Sequence, residues 1–315
     1  VEAIHQIREY SPEAWILNYS NPAAIVAECL RREFPDDKKI LNICDQPENA
    51  VRSTPRLLGC DWHDLDPVYF GLNHYGWFTH MYDRKTGEDL LPKIREIVKE
   101  KGFLPQDAEQ RDKSWLETYG FVQTMMEDFP DYLPNTYDGY YLYPEYKASH
   151  LNPNYTRADE VIDGREKRVF KECEEVIKAG KLGDKFHAIS DAHAEMMIKV
   201  AEAIAFNTLG RFILIVENNG AIANMQDDAM VEVVCELGIN GPRPLRVGNI
   251  PQFYLGLLVQ QVSCEKLLVD AYYEHSYQKA FEAFTLNRLI NDAKEARKIL
   301  DALIEANGDQ WPELK

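Results

Sequence analysis

Apolar residues are arranged along this chain in short solid blocks that alternate with stripes at helical spacing. Val1, Ile4 and Ile7 share one stripe and predict an amphipathic helix at the start of the chain. A chain that opens inside a helical pattern also predicts further sequence upstream. Trp15-Ile16-Leu17-Asn18-Tyr19 is a short apolar strand. Asn21-Pro22 then opens a helix with proline in its first turn, and Ala23, Ile25, Val26, Cys29 and Leu30 are its expected buried stripe. Pro35-Asp36-Asp37 breaks this helix, and Lys39 to Cys44 form the next strand. A strand–helix–strand unit predicts a parallel pair with a right-handed crossover. In such sheets ligands meet the carboxyl ends of the strands, and Asn21 and the pair Cys44-Asp45 both sit just past such ends.

The texture changes at Pro67. Val68-Tyr69-Phe70 leads into Gly71-Leu72-Asn73-His74, and Asp83 to Glu88 is rich in turn formers. Helical patterns cover Leu90–Glu100, Lys113–Glu127, Arg157–Ala179 and Ala188–Asn207. Between them lie a polar-aromatic loop at Asp131–Tyr137 and a tyrosine-dense stretch from Tyr140 to Tyr146. Arg211–Val216, Val231–Cys235 and Leu245-Arg246-Val247 predict strands, and the tail from Phe253 to Ala306 is mainly helical. No internal repeat interrupts this order.

Composition narrows the class. The chain has 315 residues, enough for two domains or one large one, and its formal charge of −17 argues against a phosphate-backbone footprint, so no nucleic acid partner is expected. No run approaches the roughly 20 apolar residues that span a bilayer, so no membrane partner is expected either, and the first residues do not have the pattern of a signal peptide. Six cysteines scattered without framework spacing predict reduced thiols and a cytoplasmic protein.

Cys44, Asp45 and His74 carry the candidate chemistry. A soft sulfur, an imidazole 30 positions on and an adjacent acid suit a metal site with an open face. Each residue also has a plainer role: Cys44 as a small hydrophobe, Asp45 as a cap for the following turn, His74 as a satisfied, partly buried ring. A separation of 30 matches no local ligand rule, so spacing leaves both readings open.

Longer blocks carry a resemblance. Asn18-Tyr19-Ser20-Asn21-Pro22-Ala23-Ala24, Asn42-Ile43-Cys44-Asp45-Gln46-Pro47, Gly71-Leu72-Asn73-His74 and Leu133-Pro134-Asn135-Thr136-Tyr137 occur in this order. Asn152-Pro153-Asn154-Tyr155-Thr156-Arg157-Ala158, Val216-Glu217-Asn218-Asn219-Gly220-Ala221-Ile222 and Trp311-Pro312-Glu313-Leu314 follow. Together they resemble glycoside hydrolase family 4 from end to end, most closely its 6-phospho-α-glucosidase (maltose-6′-phosphate glucosidase) branch. Cys-Asp-x-Pro is similar to that branch, and Gln46 stands where Met is usual.

The resemblance implies an α/β fold: residues 1–66 as the C-terminal part of a Rossmann-type nucleotide-binding domain, and 67–315 as a larger α+β catalytic and oligomerisation domain, on a lactate/malate-dehydrogenase-like plan. It implies hydrolysis of a phosphorylated disaccharide by NAD-dependent oxidation at C3, proton abstraction at C2 and elimination, an exception to two-carboxylate hydrolysis. Cys44 and His74 would hold a divalent metal (Mn2+ in most relatives), Asp45 would be the acid, Tyr137 the base, and Asn21 and Arg157 would bind substrate. Outside that context Tyr137 is one of 17 tyrosines, Arg157 a first-turn helix residue and Asn21 a helix cap. Relatives cradle NAD on a glycine-rich turn after a strand, and no such turn follows a strand near Val1, so the cofactor-binding residues are unassigned. A homodimer or homotetramer is implied.

The rival readings are a noncatalytic metal- and sugar-phosphate-binding remnant of the family and a 2-hydroxy-acid dehydrogenase of similar fold. Lesser candidates are His80, His187, His193 and the turn Glu217-Asn218-Asn219-Gly220, while Tyr140, Tyr141, Tyr143 and Tyr146 are expected to pack in the core or at an interface.

Overall fold

A computed structural model describes residues 1–106, 108–181 and 191–315 of the chain. Its eight strands are β1 (Ile16–Asn18), β2 (Ile40–Asn42), β3 (Leu65–Leu72), β4 (Tyr75–Asp83), β5 (Leu133–Pro134), β6 (Gly210–Glu217), β7 (Met230–Gly238) and β8 (Gly241–Pro244). They form one sheet in the order β1-β2-β6-β7-β3-β4-β5, with β8 against β7. β1 and β2 run parallel, Ile16 opposite Ile40, joined by the helix Ala23–Glu33 as the alternation of elements predicts. All other pairings between these strands are antiparallel, and the single pair Asn42–Ile215 ties the parallel unit to the rest.

Side-chain alternation splits the apolar residues between two faces. Phe70, Leu72, Leu214 and Val233 join a core with the helices Asp191–Phe206 and Gln252–Glu274. Tyr69, Ile213 and Val234 point the other way, toward the helices Leu91–Lys101, Lys113–Gly120 and Val122–Asp128. Two helices stand where one pattern from Lys113 to Glu127 was expected, because the chain turns at Phe121.

Other differences have local causes. The helix after β1 buries Ala23, Ala24, Ala27 and Leu30, whereas Ile25, Val26 and Cys29 are only half-buried. Small residues face the sheet because Ala23 and Ala27 pack directly on Ile215 and Met230. Leu245-Arg246-Val247 is not a strand; the extended segment is β8, just before it, and only the Leu245 amide continues the ladder, donating to the Val234 carbonyl at 2.8 Å. From Arg157 to Ala179 the chain stays helical through a wider turn at Val161–Glu166. Tyr141 stacks on Tyr75 with ring centroids 4.2 Å apart, while Tyr146 is exposed. The expected helix start at Ala188, with His187, lies outside the described residues, as does the His193 side chain. No described helix is long and apolar enough to cross a membrane.

The β3–β4 hairpin has a two-residue turn, Asn73-His74, with Leu72 paired to Tyr75. His74 adopts φ +63°, a left-handed conformation that a short turn demands and that few non-glycine residues accept. Gly71 and Gly76 pair across this hairpin, and a Cβ on Gly76 would collide with the Tyr69 hydroxyl and lie 2.7 Å from the Phe70 carbonyl oxygen. Gly76→Ala is therefore expected to destabilise the fold by about 1–3 kcal/mol, read as a lower urea midpoint. An unchanged midpoint would show that the hairpin tolerates a side chain there.

Candidate active site

Three chain segments meet on one face of the sheet to form a cleft of about 290 Å³. Tyr19, Ser20 and Asn21 enter from the end of β1, Cys44, Asp45, Gln46 and Asn49 from the end of β2, and His74 from the hairpin turn. Arg111, Trp115, Tyr137, Arg157 and Val161 complete the wall. All six expected site residues thus line one cavity.

The Cys44 sulfur lies 3.4 Å from His74 Nε2. With metal–sulfur and metal–nitrogen bonds of about 2.3 and 2.1 Å, such a separation corresponds to an angle of about 100° at a shared ion. The donor set therefore fits one metal ion held on one side and open on the other. Among the described residues no three or more His, Cys, Asp or Glu side chains gather as a closed metal site. Burial lowers the His74 pKa to about 4, so its ring is neutral at pH 7 and a nitrogen lone pair is available. Burial pushes the Cys44 thiol well above its usual range.

Asp45 precedes the helix Gln46–Ser53, yet its carboxyl does not cap it. The carboxyl instead accepts hydrogen bonds from the Tyr19 hydroxyl and the Asn49 side-chain amide. These two partners fix its direction toward the cleft. Tyr137 lies against His74, ring centroids 4.6 Å apart, with the edge of Trp115 at 5.7 Å. Burial raises the Tyr137 phenol, while the positive charge of Arg157 works in the opposite sense and favours the phenolate. Arg157 opens the helical run behind a Thr156 capping box and is held by Asp112 at 2.9 Å and Glu160 at 2.6 Å. Asn21 is exposed at the cleft edge and does not cap the helix that follows.

Behind the cleft runs a buried polar network. Gln46 donates to the Thr136 hydroxyl at 2.7 Å and accepts from the Asn135 amide, and Asn135 in turn accepts the Tyr137 backbone N–H at 3.0 Å. Asn135 also donates to the Tyr69 hydroxyl at 3.1 Å. Tyr69 donates to Glu232 at 3.3 Å, and the Asn73 amide donates to the same carboxyl at 3.1 Å. The sequence pointed to none of Tyr19, Asn49, Arg111, Trp115 or Glu232 individually; a carboxylic acid inside the apolar run of β7 was the one available signal. His80 binds Asp89 at 2.8 Å and does not line the cleft. Glu217-Asn218-Asn219-Gly220 does not line it either, because the Asn218 side chain is committed to the backbone carbonyls of Ile222, Met225 and Gln226.

A sheet whose parallel strands end at a cleft of thiol, imidazole, carboxyl and phenol defines an α/β enzyme of metal-assisted type. Residues 69–290 match the Family 4 glycosyl hydrolase C-terminal domain and residues 1–58 match Family 4 glycosyl hydrolase. The chain belongs to family 4 of the glycosyl hydrolases. It is 50% identical to the phospho-alpha-glucosidase PagL of Clostridium acetobutylicum, over 100% of this chain and 71% of that protein. It is similar to a crystal structure of a 6-phospho-alpha-glucosidase from gut microorganisms in complex with NAD and Mn2+, with 83% identity, TM-score 0.96, and coverage of 100% of this chain and 71% of that one. A second 6-phospho-alpha-glucosidase from gut microorganisms, solved with NAD and glucose-6-phosphate, aligns at 43% identity and TM-score 0.91 over 100% of this chain and 73% of that one.

Proposed function

We propose that the protein hydrolyses 6-phospho-α-glucosides, such as maltose 6′-phosphate, to glucose 6-phosphate, with NAD and a divalent metal as cofactors. The observation that carries this reading is the Cys44–His74 pair facing Asp45 and Tyr137 across one cleft, in a chain 83% identical to a 6-phospho-alpha-glucosidase solved with NAD and Mn2+. When bound, NAD would accept hydride from C3 of the sugar and return it once water has added after elimination, so that the reaction is redox-neutral, and the metal would polarise the sugar oxygens.

Cys44 and His74 hold the metal by its inner side and leave its outer positions to the sugar. Tyr137 removes the C2 proton; Arg157 offsets part of the burial that holds the phenol protonated, and a metal at Cys44 and His74 would add the further positive charge a phenolic base needs at neutral pH. Asp45 delivers a proton to the departing glycosidic oxygen, and Tyr19 and Asn49 keep its carboxyl aimed there. Arg157 and Asn21 bind the hydroxyl array and the phosphate, for which a guanidinium fork is suited.

Residues 1–66 act as the C-terminal part of the nucleotide-binding domain and 67–315 as the catalytic and oligomerisation domain. The protein works in the cytoplasm as a homodimer or homotetramer, without nucleic acid or membrane partners. A charge of −17 argues against a phosphate-backbone footprint.

Incubation with 4-nitrophenyl 6-phospho-α-glucoside, NAD+, Mn2+ and a reductant should release nitrophenol only when both cofactors are present. Mn2+-dependent binding of glucose 6-phosphate without release would favour the noncatalytic reading, which the 71% coverage of PagL keeps in view. Cys44→Ser should weaken Mn2+ binding by about 100-fold or more, since even residues behind the ligands control about 10–100-fold. Wild-type Mn2+ affinity in that variant would remove Cys44 from the ligand set.

A further inference from the structure

One buried carboxyl takes no part in the chemistry above. Glu232 sits within β7 between Val231 and Val233, has no exposed surface, and pairs with Gly71 of β3. Alternation along β3 puts Tyr69, Gly71 and Asn73 on the same face. The Glu232 carboxyl reaches both flanking side chains, Asn73 at 3.1 Å and Tyr69 at 3.3 Å. Burial pushes this carboxyl up to about 8, against the two hydrogen bonds it accepts from Tyr69 and Asn73. An acid buried within an apolar strand and partnered by neutral groups is a destabilising choice for folding alone, because its desolvation is only partly offset.

Both partners lead to the site. Asn73 immediately precedes His74 in the turn, and its side-chain amide is close enough to Cys44 to favour the thiolate. Tyr69 receives the Asn135 amide, and the carbonyl of the same Asn135 side chain holds the Tyr137 backbone. A displacement of Glu232 is therefore felt at both metal donors and at the phenol, on three separate segments.

We propose that Glu232 is a positioning residue, one buried carboxyl that sets the metal-binding turn through Asn73 and the segment bearing Tyr137 through Tyr69 and Asn135. The inference rests on the assignment of Cys44 and His74 as metal donors. Its test measures Mn2+ dissociation constants directly, by electron paramagnetic resonance of the free ion, and steady-state kcat and KM beside them, on the full chain. Glu232→Leu should raise the Mn2+ dissociation constant by about 10–100-fold, as loss of support behind ligands does, and lower kcat more than it changes KM at saturating metal. Glu232→Gln keeps one acceptor and one donor in place and should restore both quantities close to wild type. Asn73→Ala cuts the link while Glu232 remains, and should weaken Mn2+ binding similarly even where Glu232→Leu fails to fold. Wild-type Mn2+ affinity in a folded Glu232→Leu or Asn73→Ala variant would overturn the inference. Absence of Mn2+ binding in the wild type would instead overturn the metal assignment beneath it.

Discussion

The backbones of β3 and β4 approach at Gly71 and Gly76 more closely than side chains would allow, and the site is arranged around that approach. With no Cβ on Gly76, the Tyr69 hydroxyl takes the space a side chain would fill there, and from it reaches the Glu232 carboxyl. The same tight hairpin ends in a two-residue turn, which forces His74 into a left-handed conformation and projects its ring away from the strand. Gly76 further receives Asp138, whose carboxyl accepts the Gly76 N–H at 3.2 Å, so the segment after Tyr137 is anchored on the same pair of glycines. One close approach thus fixes the imidazole, the buried acid and the phenol-bearing segment together.

Burial then decides what these groups can do. In a poorly solvated cleft the Cys44 thiol and the Tyr137 phenol keep their protons and His74 stays neutral. Such a set is quiet by itself; the Arg157 guanidinium offsets only part of the burial that keeps the phenol protonated, and a divalent ion beside the sulfur would add positive charge to the same cleft. The acidic chain concentrates two guanidinium groups, Arg111 and Arg157, on the cleft wall, which suits an anionic ligand despite the overall charge of −17. Arg157 is shared with Asp112 and Glu160, so its position is defined by ion pairs on its own side of the cleft.

Much of this was legible where the signal was local. The parallel pair, its connecting helix and the placement of Asn21 and Cys44-Asp45 past strand ends all follow from short patterns of apolar residues and proline. Tertiary choices were not legible. The helix after β1 turned its alanines inward because Ala23 and Ala27 meet the sheet closely, although Ile25 and Val26 are the more hydrophobic residues. Glu232 drew no reading of its own within the Val231–Cys235 strand, since nothing in its neighbours reveals that both faces of β7 are covered. Trp115 reaches the cleft from a stretch whose local pattern only marks a helix, and Arg111 from just before it.

The 30-residue separation of Cys44 and His74 was the hardest signal to interpret, and the sheet order explains why. Two strands, β6 and β7, stand between β2 and β3, a gap of about 14 Å at the usual strand spacing. Cys44 and His74 nevertheless approach to 3.4 Å. β2 leaves the ladder after its single pair, Asn42 with Ile215, so its end crosses the face of the sheet instead of continuing along it. The hairpin turn comes back from the other side, and the two meet above the residues of β6 and β7 that share that face, Ile215 and Glu232. A thiol and an imidazole brought together over intervening strands obey no sequence spacing, because their separation is set by how far two chain ends depart from the sheet. Such a contact depends on the groups beneath it, and the polar group beneath it is the carboxyl of Glu232.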